Sequence, residues 1–326
     1  MSKFLVKHAA VLGAGVMCAQ IAAHLANAGV PVTLFDLAAP EGDRNGIVNK
    51  ALAGLRKLEP APLAGAARLA LITPANYDDH LDRLRGCDLV IEAIAERMDW
   101  KTALYERIAP HVAPDALIAS NTSGLSIDAL AHALPESLRE RFCGIHFFNP
   151  PRYMRLVEII ATPHTRADVL DQLETWLTSK LGKGVVRALD TPNFVANRIG
   201  VFSILSTIHH TQQFGLGFDE VDGLTGPLVG RPKSATYRTS DVVGLDTMAH
   251  VIKTMGDTLP NDPWHEFFKS PKWLDALISK GALGQKTGAG IFRKVGKDIV
   301  VLDLEKQDYR PADRTAAPEV VEILKT

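Results

Sequence analysis

Apolar positions fall into short runs in the first two thirds of the chain and into long helical spacings after that. His8 to Leu12 is a short apolar run that ends at Gly13-Ala14-Gly15. Helix formers follow from Val16 to Ala28, with Ile21, Leu25 and Ala28 at helical spacing. Gly29 is placed to end that helix in a left-handed conformation. Val30 to Asp36 is a second short run, rich in strand formers. The first 36 residues therefore predict strand, helix, strand. A helix-linked parallel pair implies a sheet covered on both faces.

The alternation continues. A helical insert is predicted over 44–58, broken by Pro60 and Pro62. Strands are predicted over 88–94, 116–119, 142–148, 156–160 and 185–189, and helices over 101–108 and 169–181. After Asp190-Thr191-Pro192 the strand pattern nearly vanishes, and 194–214 reads as one long helix. Three segments are thus expected: 1–189 as an α/β domain, 190–295 as a helical domain, and 296–326 as a polar tail or the start of a linker.

Composition narrows the classes. The chain has 326 residues, 46% of them hydrophobic, with a formal net charge of −1. A near-neutral chain lacks the basic excess of a general nucleic-acid binder. No apolar run approaches the roughly 20 residues of a membrane helix. The three cysteines, Cys18, Cys87 and Cys143, are far apart and lack CxxC spacing. That fits reduced thiols in a cytoplasmic protein and offers no metal-ligand pattern.

Gly13 and Gly15 lie between a strand and a helix. Two such glycines allow a tight turn and a close approach of a pyrophosphate to the positive end of the helix. Asp36 ends the next strand, where a carboxylate binds both ribose hydroxyls and repels a 2′-phosphate. The constellation points to NAD rather than NADP. Cys18 stands where the fingerprint has its third glycine, so a thiol must be fitted between helix and strand. Weakened but surviving dinucleotide binding is the expectation; a harmlessly packed thiol is the competing reading.

His146 and Glu158 are polar residues inside otherwise apolar strands. A buried carboxylate needs a partner. Bonded to one imidazole nitrogen, it makes the other nitrogen a better base. On spacing alone, a structural histidine and a separately paired glutamate fit the same pattern.

His146-Phe-Phe-Asn-Pro, Leu156-Val-Glu-Ile-Ile, Ser120-Asn-Thr-Ser123 and the run from Asp190 to Arg198 occur in order behind the N-terminal strand–helix–strand unit. Together they resemble the L-3-hydroxyacyl-CoA dehydrogenase family of fatty-acid β-oxidation, over about residues 8–295. The resemblance implies an N-terminal Rossmann-type, doubly wound, mostly parallel sheet, an all-helical C-terminal domain, and an active site in the cleft between them. It implies NAD-dependent, reversible oxidation of (S)-3-hydroxyacyl-CoA to 3-ketoacyl-CoA. His146 is then the general base, Glu158 its orienting partner, Ser123 a hydrogen-bond donor to the 3-oxygen, and Asn197 a substrate contact. Beside Gly13, Gly15 and Asp36, the resemblance implies cofactor contacts at Glu96, Lys101, Asn149 and Lys286. Arg56 and Lys57 are candidates for the CoA phosphates. The plain readings stand beside these: Ser123 as a helix cap, and Glu96, Lys101, Lys286, Arg56 and Lys57 as surface charges.

Pro60 to Leu63, Gly226 to Asp241 and Asp241 to Asp246 also resemble the dehydrogenase part of long bacterial enzymes that carry an enoyl-CoA hydratase. A homodimer through the helical domain, or a place in a longer fused chain, is the expected assembly. The competing functions are oxidation of free hydroxy or sugar acids on the same scaffold, and a non-catalytic NAD-binding role.

Overall fold

A computed structural model describes residues 4–323. The chain divides into two compact units, residues 1–195 and 196–326.

In the N-terminal unit eight strands form one sheet: β1 (Ala9–Leu12), β2 (Val32–Asp36), β3 (Ile72–Asn76), β4 (Leu89–Glu92), β5 (Leu117–Ser120), β6 (Phe142–Phe147), β7 (Leu156–Ile160) and β8 (Gly184–Ala188). Their order is β3-β2-β1-β4-β5-β6-β7-β8. All neighbours are parallel except β6 and β7. The short link 148–155 explains that exception, because a parallel pair needs a crossover of a dozen or more residues.

The helices of this unit are α1 (Val16–Asn27), α2 (Gly46–Leu55), α3 (Met98–Ile108), α4 (Ile127–Ala131), α5 (Glu136–Arg139) and α6 (Ala167–Leu181). Alternate strand residues serve opposite faces, as strand geometry requires. Ala9 and Val11 pack with Ile21 and Leu173 on one face. Ala10 and Leu12 pack with Leu104 and Leu130 on the other. This is the doubly wound α/β arrangement expected from the sequence. Gly29 ends α1 at φ +81°, also as expected.

The C-terminal unit is helical: α7 (Ala196–Gln213), α8 (Phe218–Leu224), α9 (Tyr237–Val243), α10 (Leu245–Thr258) and α11 (Lys272–Ser279). Leu205, Ile208, Met248, Ile252 and Leu274 form its core. It also carries a small antiparallel sheet of β9 (Phe292–Val295), β10 (Asp298–Asp303) and β11 (Asp308–Pro311).

Two segment boundaries differ from the sequence reading. The division falls after Val195 rather than after 189, because Phe194 is buried in the N-terminal core. The long helix starts at Ala196, since Asn193 (φ 60°) and Phe194 (φ 50°) are left-handed. The segment expected as a tail or linker instead supplies β10 and β11. Val301 of β10 is fully buried in the C-terminal core, and Arg310 of β11 pairs with Asp219 at 2.7 Å. The turn at Gly296 (φ +60°) and Lys297 that joins β9 to β10 is the local signal that reveals this hairpin.

Candidate active site

The chain leaves β1 through Gly13, whose φ of +106° only glycine adopts without strain. A Cβ there would lie 2.8 Å from Cys18 Sγ and 3.1 Å from Ile94 Cγ2. The thiol thus occupies space that the missing Gly13 Cβ leaves open. Cys18 donates to the Ala93 carbonyl at 3.0 Å. Burial pushes its pKa up to about 12, so it stays a thiol at neutral pH. Gly15 precedes α1 in extended conformation, with no side-chain cap on the helix. The first-turn N–H groups are thereby presented to an anion.

Asp36 lies at the end of β2, where its carboxylate accepts the Ala14 N–H at 2.5 Å and the Leu37 N–H at 2.7 Å. Gly13, Gly15, Asp36, Leu37, Ile94 and Trp100 help line a cavity of about 490 Å³. It sits at the carboxyl ends of β1, β2 and β4, where doubly wound sheets bind nucleotides. The glycine cradle, the open helix terminus and the acidic strand end fit a dinucleotide.

The second cluster is built by the one antiparallel pair. Register sets His146 directly opposite Glu158, and opposed residues project to the same face. His146 Nδ1 is 2.7 Å from Glu158 Oε2, with relative exposures of 3% and 0% for the two residues. Glu158 Oε1 accepts the Val195 N–H at 3.0 Å. The His146 ring also packs on Phe148 and Phe194. With Nδ1 donating to the carboxylate, Nε2 is the acceptor, and it meets Ser123 Oγ at 3.0 Å.

Ser123 is held in turn. Its N–H donates to Glu96 Oε1 at 2.6 Å, and Thr122 Oγ1 donates to the other Glu96 oxygen. Ser123 does not cap the following helix; Ser126 does, accepting from Ala129 N at 3.1 Å. Asn149 accepts from Gln20 of α1 at 3.1 Å, and Asn121 accepts from Phe147 N–H at 2.9 Å. The structure therefore brings Ser123, His146, Glu158 and Glu96 into one hydrogen-bonded chain, with Asn149 two residues past the end of β6, the strand that carries His146. Thr122, Asn121, Gln20 and the Val195 N–H are supports that sequence reasoning missed. Asn121, Thr122 and Val195 had a signal, since they lie inside quoted motifs; Gln20 had none.

The other expected residues have the following surroundings. The amine of Lys101, which the resemblance implies as a cofactor contact, is buried, paired with Glu92 and bonded to the carbonyl of Ile94 at the cavity wall. α3 lines the nucleotide cavity with Trp100, Ala103, Leu104 and Arg107 instead. Arg56 and Lys57, just past α2, are exposed. In the C-terminal unit Asn197 is the second residue of α7, and Lys286 pairs with Asp246 at 2.6 Å. Among the described residues no helix is long and apolar enough to cross a membrane.

The fold and the glycine turn define a dinucleotide-binding oxidoreductase scaffold. The chain matches the family model for the 3-hydroxyacyl-CoA dehydrogenase NAD binding domain over residues 8–191, and that for the C-terminal domain over residues 194–294. It belongs to the 3-hydroxyacyl-CoA dehydrogenase family, and NAD is the cofactor of its N-terminal unit. It is 40% identical over 328 residues to a probable 3-hydroxyacyl-CoA dehydrogenase of Bacillus subtilis, covering 96% of this chain and 41% of that protein. It is 43% identical over 290 residues to a probable 3-hydroxyacyl-CoA dehydrogenase of Deinococcus radiodurans, covering 89% and 83%. Among solved structures, FadB2 of M. tuberculosis superposes with a TM-score of 0.74 at 30% identity, over 89% of this chain and 99% of that one. The chain spans less than half the length of the B. subtilis relative.

Proposed function

We propose that this chain catalyses the NAD-dependent, reversible oxidation of (S)-3-hydroxyacyl-CoA to 3-ketoacyl-CoA in fatty-acid β-oxidation. The observation that carries the reading is the Ser123–His146–Glu158 relay in the same unit as the glycine turn. Bound at that turn, NAD supplies the hydride acceptor. His146 Nε2 takes the proton of the 3-hydroxyl group as the C3–H bond breaks. Glu158 holds the ring in the productive tautomer and stabilises the imidazolium that forms. Ser123 donates a hydrogen bond to the 3-oxygen, and Glu96 fixes the backbone that presents Ser123. Asp36 accepts from the adenosine ribose hydroxyls and disfavours a 2′-phosphate.

Asn149 as a support near the nicotinamide, Asn197 as a substrate contact and Lys286 as a cofactor contact enter the proposal from the resemblance. Arg56 and Lys57 enter it as exposed cations for the CoA phosphates. Dimerisation through the C-terminal unit, or its place in a longer chain, is likewise part of the proposal, and light scattering checks the dimer.

The test is NADH oxidation with acetoacetyl-CoA. The wild-type chain turns over with NADH in preference to NADPH. His146→Ala loses about 10²- to 10⁴-fold in kcat, the contribution of a positioned general base, while NADH still binds. Full activity in that variant removes His146 from the mechanism. No turnover of any acyl-CoA by the wild-type chain removes the proposed reaction.

A further inference from the structure

We infer that Lys101 and Glu92 form a buried positioning pair that sets the two loops of the active site, one bordering the nucleotide cavity and one bearing Ser123. The inference rests on the reaction proposed above. Both side chains are 0% exposed, and Nζ lies 2.5 Å from Oε1. Glu92 closes β4, Ser120 closes β5, and the two are register partners. Glu92 collects four donors at that point: Lys101 Nζ, the Ile94 N–H at 2.7 Å, the Tyr105 hydroxyl at 2.8 Å and the Ser120 hydroxyl at 2.8 Å. Lys101 also donates to the Ile94 carbonyl at 3.3 Å. The pair thus grips the turn after β4 by both polar atoms of one residue.

Two loops leave this grip. Along the first, Ala93, Ile94 and Ala95 line the nucleotide cavity. The next residue, Glu96, accepts from Thr122 and from the Ser123 N–H. Along the second, Ser120 leads through Asn121 and Thr122 to Ser123, whose hydroxyl meets His146. A shift of Glu92 therefore reaches Ser123, and through its hydrogen bond His146, along both loops, and it reaches the cavity wall along the first. An apolar residue at 92 would strand the Ile94 N–H and the Tyr105 and Ser120 hydroxyls, so a test of the pair keeps an amide there. A group misplaced by about 1 Å costs a large factor in rate.

The experiment compares Glu92→Gln, Lys101→Met, the double variant and Tyr105→Phe with the wild-type chain. The double variant leaves no unpaired buried charge, and Tyr105→Phe removes one donor, so both fold where a single charge deletion fails. The measurements are kcat and KM for acetoacetyl-CoA, the NADH dissociation constant by fluorescence, and the unfolding midpoint. The expected result is a kcat lowered about tenfold or more in the double variant, with KM for acetoacetyl-CoA unchanged and NADH bound more weakly. Tyr105→Phe shows a smaller loss of kcat. Where the single variants fold, their effects are not additive in the double variant.

Two results overturn the inference. One is a double variant with kcat and NADH affinity within about twofold of wild type, whatever its unfolding midpoint, since additive or silent substitutions carry no coupling. The other is weakened NADH binding in Lys101→Met with normal binding in Glu92→Gln, which makes the amine a direct cofactor contact. An inactive wild-type chain sinks the proposed reaction alone, because the NADH comparison still decides the role of the pair.

Discussion

At the scale of single residues the site depends on what is absent as much as on what is present. Gly13 has no Cβ, and Cys18 Sγ fills the space that one would take. The fingerprint's third glycine is missing, yet the thiol packs against the first and bonds the Ala93 carbonyl. Gly13→Ala should therefore fail twice. The new methyl group meets Cys18 and Ile94, and the left-handed backbone is strained by about 1–3 kcal/mol. NADH titration should show affinity down about tenfold or more, in line with that energy. Adding Cys18→Gly relieves the contact but not the strain, so the double variant should recover only part of the loss. Full recovery would mean that the backbone conformation at Gly13 is unimportant.

At the scale of elements, α1 does more than offer its N-terminus. Its Gln20 bonds Asn149, and His24, one turn on, is buried. Burial first, and the nearby Lys183 charge second, lower the pKa of His24 from 6.5 to about 4. As pH falls below 6.5 the unfolded chain takes up a proton that the folded chain refuses until about pH 4. Stability present above pH 6.5 is thus lost progressively down to about pH 4. The gap corresponds to about 3 kcal/mol. Urea unfolding across this range should show a falling midpoint, and His24→Leu should flatten the curve. An identical pH dependence in the variant would show that His24 titrates normally.

Elements also differ in how readable they are. β1, α1 and β2 were legible because their periodicity is local and strong. β3 was not: its sequence, Ile72-Thr-Pro-Ala-Asn76, is short and contains Pro74. It is tolerated because β3 is an edge strand, where a missing N–H costs no ladder bond. β10 and β11 were hidden by their polar flanks, although Val300 to Leu302 is a plain strand core.

At the scale of the whole molecule, β10 and β11, which follow residue 295, belong to the folded C-terminal unit. Arg310 reaches Asp219 and Asp303, and all three side chains are less than a tenth exposed. Breaking a buried pair leaves an uncompensated charge. Arg310→Ala should therefore cost this unit about 3 kcal/mol, and a chain ending at 295 at least as much, because Val301 is lost from the core as well. Calorimetry on the three chains checks this. An unchanged unfolding temperature for the shortened chain would make the segment a dispensable appendage.

The sequence by itself determined the opening strand–helix–strand unit and most of the later strands of the N-terminal unit, the dinucleotide turn and the identity of the groups fit for acid–base work. These depend on neighbours close along the chain: two glycines between strand and helix, an acid at a strand end, a histidine in an apolar run. Tertiary structure decided which of those groups meet. It set His146 opposite Glu158 through a register, turned Val195 N–H onto the same carboxylate, and drew Lys101 into the core against Glu92. Such pairings join residues far apart in the chain. Their geometry comes from sheet order and helix packing, and no local pattern of apolar and polar positions encodes it.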